Sequence, residues 1–218
     1  MLFVAFTGTG RSAVPERQIN FTVFAAAPVA TLEYQPLPAA ASVPLVFYPT
    51  ARSQRYSYAG PEALIFRHAL TGAVMAQITV PSDVKEALFI LVAQKPSATS
   101  RDIFSVHVID ETLFRRAPDS LTILNLSGLP LAGTVNGNAC VLSAGLNAAV
   151  RVGGVAAVTL RTPFRSRSYQ AYAETIPVRN STGALLVLLP PYRAGSLEVQ
   201  SRVLLDNPTR PGADEAQE

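Results

Sequence analysis

Two continuous apolar runs constrain this chain more than any other feature. Ala87-Leu88-Phe89-Ile90-Leu91-Val92 passes through a polar break into Ile103–Asp110, and Ala184-Leu185-Leu186-Val187-Leu188-Leu189 passes through a second break into Leu197–Asp206. Each copy is an apolar run, a turn, and an alternating strand that ends in an acid. Self-similarity at this scale points to a duplicated architecture. A strand that covers a core on one face alternates apolar and polar residues, and these runs do not. Either they are central strands covered on both faces, or the two copies pack on each other through them. Four such side chains at about 1.5–3 kcal/mol each would make that contact substantial.

Short strands are the economical reading of the remainder. Hydrophobic residues make up 49% of the 218 positions and charged residues 15%, yet no stretch approaches the roughly 18–20 uninterrupted apolar residues of a membrane helix. The 17 prolines and 13 glycines are spread along the chain and act as punctuation. Asn136-Gly137 has the preferred residues of a two-residue type I′ loop. Thr71-Gly72 and Gly153-Gly154 also read as hairpin turns, the latter joining Ala148–Val152 to Val155–Leu160. No segment sustains a helical period.

The expected fold is therefore all-β, as two tandem antiparallel β-sandwich (Ig-like) domains or a duplicated sandwich, packed together. Residues 1–42 form a leader with the first strand or strands, and 43–111 the first domain. Residues 112–120 connect it to a second domain at 121–206, and 207–218 form a polar tail expected to be disordered. Near the N-terminus, Arg11 and Arg17 followed by Ile19–Ala27, with small residues at Ala25–Ala30, resemble an export signal. Ile19, Phe21 and Val23 also alternate like an ordinary strand, which is the favoured reading.

The net charge is only +3 and the basic residues are scattered, too sparse a footprint for nonspecific nucleic-acid binding. Lys85 and Lys95 are the only lysines; with abundant alanine and many arginines, this composition is bacterial in character. A single cysteine, Cys140, rules out an intrachain disulfide and reads as an inert thiol in a strand.

Catalytic motifs are sparse. His107 could form a metal or acid–base cluster with Asp110 and Glu111, but strand alternation sends His107 and Asp110 to opposite faces. His68 is the only other histidine. There is no Gly-x-Ser-x-Gly elbow, and Gly8-Thr9-Gly10-Arg11-Ser12 lacks the lysine and spacing of a phosphate loop. No catalytic residue, metal ligand or cofactor is assigned. Asn20, Asn125 and Asn180 begin glycosylation triplets, which are uninformative in this composition.

Two segments combine arginines with aromatics and are the candidate ligand-binding surfaces. One is Phe47–Tyr58, with Tyr48, Arg52, Arg55, Tyr56 and Tyr58; the other contains Arg161, Arg165 and Arg167 with Phe164 and Tyr169. Such residues stack on planar groups and hold anions. Equally, they can cover a sheet with their apolar stems.

Leu121-Thr122-Ile123-Leu124-Asn125-Leu126-Ser127-Gly128-Leu129-Pro130-Leu131, followed by Leu142-Ser143-Ala144-Gly145 and preceded by Val108-Ile109-Asp110, resembles uncharacterised exported bacterial β-sandwich proteins. The resemblance spans roughly Val43 to Asp206 and implies export to the periplasm or cell envelope, with no activity to carry over. The expected function is noncatalytic binding or scaffolding, with an unidentified protein or glycan as partner and no membrane span. The alternatives are a carbohydrate-binding accessory module using Tyr48–Tyr58, and a hydrolase whose site is dispersed around His68 or His107.

Overall fold

The computed structural model describes residues 17–94, 103–112, 118–178 and 183–205. Among the described residues, four sheets are built from seventeen strands, with essentially no helix. In the N-terminal half, β1 (Arg17–Ala25), β4 (Tyr56–Gly60), β7 (Glu86–Ala93) and β8 (Phe104–Asp110) form a sheet in the order β4-β1-β7-β8. Facing them, β2 (Leu32–Tyr34), β3 (Val43–Leu45), β5 (Ala63–His68) and β6 (Val74–Thr79) run in the order β3-β2-β5-β6.

The C-terminal half repeats this wiring, with one additional short strand. Here β9 (Ser120–Asn125), β12 (Gly145–Leu146), β16 (Ala184–Leu189) and β17 (Gln200–Leu205) lie in the order β12-β9-β16-β17, and β13 (Val150–Arg151) also pairs with β9. The second sheet of this half contains β10 (Leu131–Val135), β11 (Asn138–Leu142), β14 (Val155–Phe164) and β15 (Arg167–Pro177), ordered β11-β10-β14-β15. Most pairings are antiparallel, as expected. Each half also contains one parallel pair, β1 with β7 and β9 with β16. The expectation of purely antiparallel sheets is corrected there. No crossover helix is needed, because the chain visits the opposite sheet between the two partners.

The apolar runs are resolved by alternation. Ala87, Phe89 and Leu91 enter the N-terminal core, while Leu88 and Ile90 point the other way. Ala184, Leu186 and Leu188 enter the C-terminal core, while Leu185, Val187 and Leu189 point away. The outward sets meet. With Phe24, Ile109, Leu124 and Leu204 they form a third apolar cluster drawn from both halves. Both readings of the runs therefore hold together: each is a central strand because the other half covers its second face.

Within residues 1–42, read as leader and first strand(s), residues 17–34 supply β1 and β2, and Ile19, Phe21 and Val23 are buried in the N-terminal core. Cleavage at Ala25–Ala30 would strip β1 from between β4 and β7. Gly153-Gly154 does not close a hairpin, because β13 pairs with β9 while β14 pairs with β10 and β15. The two glycines, both at positive φ, carry the chain from one sheet to the other. Asn136-Gly137 does close its hairpin, with φ of 49° and 79° between the paired Val135 and Asn138. The Gly8–Ser12 motif, Lys95, most of the 112–120 connector, Asn180 and the 207–218 tail lie outside the described residues.

Candidate functional site

The structure separates the expected surface of Tyr48–Tyr58 into core, tether and rim. In β4, Tyr56, Tyr58 and Gly60 face inward while Ser57 and Ala59 face outward. Tyr56 is 2% exposed and Tyr58 5%. Tyr56 packs 5.5 Å from the Phe21 ring, and its hydroxyl accepts a hydrogen bond from the Val46 backbone N–H at 2.8 Å. Tyr58 donates to the Pro61 carbonyl at 2.7 Å. Burial raises both phenol pKa values, so both remain protonated donors. A period of 2 puts both on one face, and that face is the core, which takes the Tyr56 ring out of the expected stacking platform; Tyr58, though buried, also lines two cavities beside β4.

Arg52 is also turned inward. Its guanidinium pairs with the Glu111 carboxylate, and both side chains are mostly buried. This ties the segment before β4 to the residues directly after β8. Next to it, Ser53 exchanges hydrogen bonds with Val23, its hydroxyl accepting from the Val23 N–H at 2.8 Å. Arg55 lies 3.7 Å from Glu86. Tyr48, 36% exposed, keeps a surface position.

The second segment behaves differently. Beyond the Ala132–Arg161 pair the β10 ladder ends, and Thr162 to Tyr169 continue as a two-stranded ribbon of β14 and β15. Residues 163–170 are all exposed. Phe164 and Arg167 pair across a two-residue loop, Arg165-Ser166, in which both residues have positive φ (46° and 65°). This is the backbone of a type I′ turn, which favours Asn-Gly. Holding Arg and Ser there costs about 1 kcal/mol or more per residue. The Arg165 guanidinium sits 5.2 Å over the Phe164 ring, and Phe164 meets Tyr169 edge-on at 6.4 Å. Arg161 is fixed across the ribbon by bonds to the Ser168 hydroxyl and carbonyl. From Val155 to Ala173 the hairpin carries three arginines and no acid.

The other candidates have structural partners. His68 Nδ1 accepts from the Leu70 and Thr71 N–H groups, shaping the β5–β6 turn. His107 lies on β8 opposite Ile90, and burial lowers its pKa. Among the described residues no three His, Cys, Asp or Glu side chains gather as a metal site. Burial raises the Cys140 thiol pKa, away from thiolate reactivity. Asn125 is buried and accepts from Ser127, a position closed to a glycan.

A cavity between the halves takes in the start of the first candidate segment, including Tyr48, and adds residues that the sequence reading did not single out. It measures about 430 Å³ and is lined by Ala25–Val29, Phe47, Tyr48, Pro49 and, from β17, Arg202. Its residues are scattered over three segments, so no local pattern announces it. Comparison with protein-family models finds no family that matches the chain, and comparison with curated proteins finds no relative.

Proposed function

We infer that the chain is a noncatalytic binding and scaffolding protein made of two packed Ig-like sandwiches, which engages an acidic protein segment through the β14–β15 tip. The observation that carries this reading is the Arg165-Ser166 turn. A relaxed turn would use Asn-Gly, as Asn136-Gly137 does in the same sheet. The strained turn instead keeps a guanidinium at the apex, stacked on Phe164, with Arg167 and Tyr169 beside it. Strain held at an exposed, cationic and aromatic apex is what a recognition element requires. The repeated strand order and the shared apolar cluster support the scaffold part of the reading. An extracytoplasmic location rests on the resemblance of the segment around Leu121–Gly145 alone.

Binding of the intact chain to poly-L-glutamate, followed by fluorescence anisotropy at low and high salt, tests the tip. Arg165→Ala combined with Arg167→Ala should weaken binding by about tenfold, the combined effect of two exposed charge contacts. Unchanged binding by the double variant, or no binding by the parent at low salt, overturns the reading. Preference for chondroitin sulfate over poly-L-glutamate replaces the protein partner with an acidic glycan.

A further inference from the structure

The cavity between the halves combines an almost wholly apolar wall with one cation. Ala25, Ala26, Ala27, Pro28, Val29, Phe47 and Pro49 contribute no side-chain charge or hydrogen-bonding group, and Tyr48 adds a ring with a polar tip. Among the described residues Arg202 is the sole charged one in the lining, and no carboxylate lines the cavity with it.

The position of Arg202 is unusual for its strand. In β17, Leu204 belongs to the apolar cluster between the halves, and Arg202, two residues earlier, shares its face. Val203 and Leu205 face the C-terminal core instead. Arg202 therefore stands at the margin of the apolar contact between the halves, paired in register with Val187, which is fully buried in that contact. One Nη1 hydrogen bond goes to the adjacent Ser201 carbonyl at 2.7 Å. A guanidinium has five N–H donors in a planar fork suited to a carboxylate, so this bond leaves most of them available.

A volume of about 430 Å³ falls within the usual range for small-molecule sites, about 300–1,000 Å³, which characteristically pair an apolar lining with few orienting polar groups. We propose that this cavity binds a small amphiphilic monocarboxylate, a medium-chain fatty acid, with its chain against Phe47, Tyr48 and the Ala25–Val29 segment and its carboxylate on Arg202. None of these residues belongs to the β14–β15 hairpin, so this site is independent of the proposed acidic-partner surface. Because the lining comes from both halves, a bound chain bridges them, and ligand binding should raise the stability of the docked arrangement.

Isothermal titration of the full chain with decanoate below its micellar concentration, and with decanol as the uncharged counterpart, tests the site. Decanoate should bind about tenfold more tightly than decanol, the gain of one charge-assisted contact. Arg202→Gln should remove that preference, and Arg202→Lys should restore part of it. Ala27→Trp, at an exposed lining position, should fill the cavity and abolish binding of both probes. Should Arg202→Gln fail to fold, the decanoate–decanol comparison in the parent and the Ala27→Trp variant still decide. Absence of decanoate binding, equal affinity for decanol, or undiminished binding by Ala27→Trp overturns the proposal.

Discussion

The two halves share one strand order but fill it with different side chains. The N-terminal core is aromatic: Phe21 lies within about 6 Å of Tyr34, Tyr56, Phe66 and Phe89, in edge-on and tilted contacts. The C-terminal core is aliphatic, with Leu121, Ile123, Leu160, Leu186 and Leu188 around a single buried tyrosine, Tyr172. Wiring is thus set by where apolar residues recur, and several fillings satisfy it. The difference also decides which aromatics are free. In the N-terminal half Tyr56 and Tyr58 are consumed by the core, whereas in the C-terminal half Phe164, Tyr169 and Tyr192 remain exposed. Aromatic content alone therefore says little about a binding surface until the face of each strand is known.

Breaking the contact between the halves should produce the largest effect. Leu185 is completely buried and directs its side chain into the shared cluster opposite Leu204, while its neighbours Ala184 and Leu186 hold the C-terminal core. Leu185→Asp places a carboxylate among apolar side chains there, at a cost of several kcal/mol. Calorimetry should show a single transition in the parent and two in the variant, the aromatic and aliphatic halves melting separately. A single, merely shifted transition would mean that neither half holds together without the other.

A second comparison concerns backbone approach, which should cost somewhat less. A Cβ on Gly133 would stand 1.9 Å from the Thr159 carbonyl oxygen, directly beside the bulge at Leu160/Arg161. Gly72 has open space around it and only its φ of 68° to oppose a side chain. Gly133→Ala should lower stability by about 3 kcal/mol, through forced separation of β10 and β14. Gly72→Ala should cost about 1 kcal/mol, through the left-handed backbone alone. Urea midpoints of the two variants measure the contrast; similar values would show that β10 and β14 can separate freely.

Period and run length made much of the fold legible. The apolar runs of Ala87–Val92 and Ala184–Leu189 required cover on both faces, and Asn136-Gly137 specified its own turn. What sequence could not supply was direction. Alternation placed Tyr56 and Tyr58 on one face without saying whether it looked in or out, since a tyrosine ring suits either. Glycines at 153 and 154 signalled a reversal, but the same positive φ serves a hairpin and a change of sheet. Parallel pairing of β1 with β7 joins residues more than sixty positions apart, beyond any local pattern. The Arg161–Tyr169 segment could be read as a cationic aromatic patch, but the strain at Arg165-Ser166 that distinguishes it is a backbone property. Arg202 carried no signal, because its meaning comes from residues 25–29 and 47–49.

The smallest expected effect compares the edge strands β8 and β17. On the face directed at the opposite half, β8 carries His107 before Ile109, and β17 carries Arg202 before Leu204. The apolar contact thus meets a polar residue at an edge strand of each sheet, but only the histidine can change charge near neutral pH. Burial lowers its pKa in the native state, whereas the unfolded chain titrates near 6.5. Above about pH 6.5 both states are neutral at this position and it contributes nothing to pH dependence. As pH falls through that value, the unfolded state takes up a proton that the native state resists, so stability declines until the lower native pKa is reached. His107→Gln should therefore behave alike at pH 7.5 and 5, at this position, while the parent loses stability. The difference between parent and variant urea midpoints, measured at both pH values, should shift in favour of the variant at pH 5. A difference that stays constant would show that His107 gains its proton as readily folded as unfolded, and that the β8 margin of the contact is as open to water as an ordinary surface.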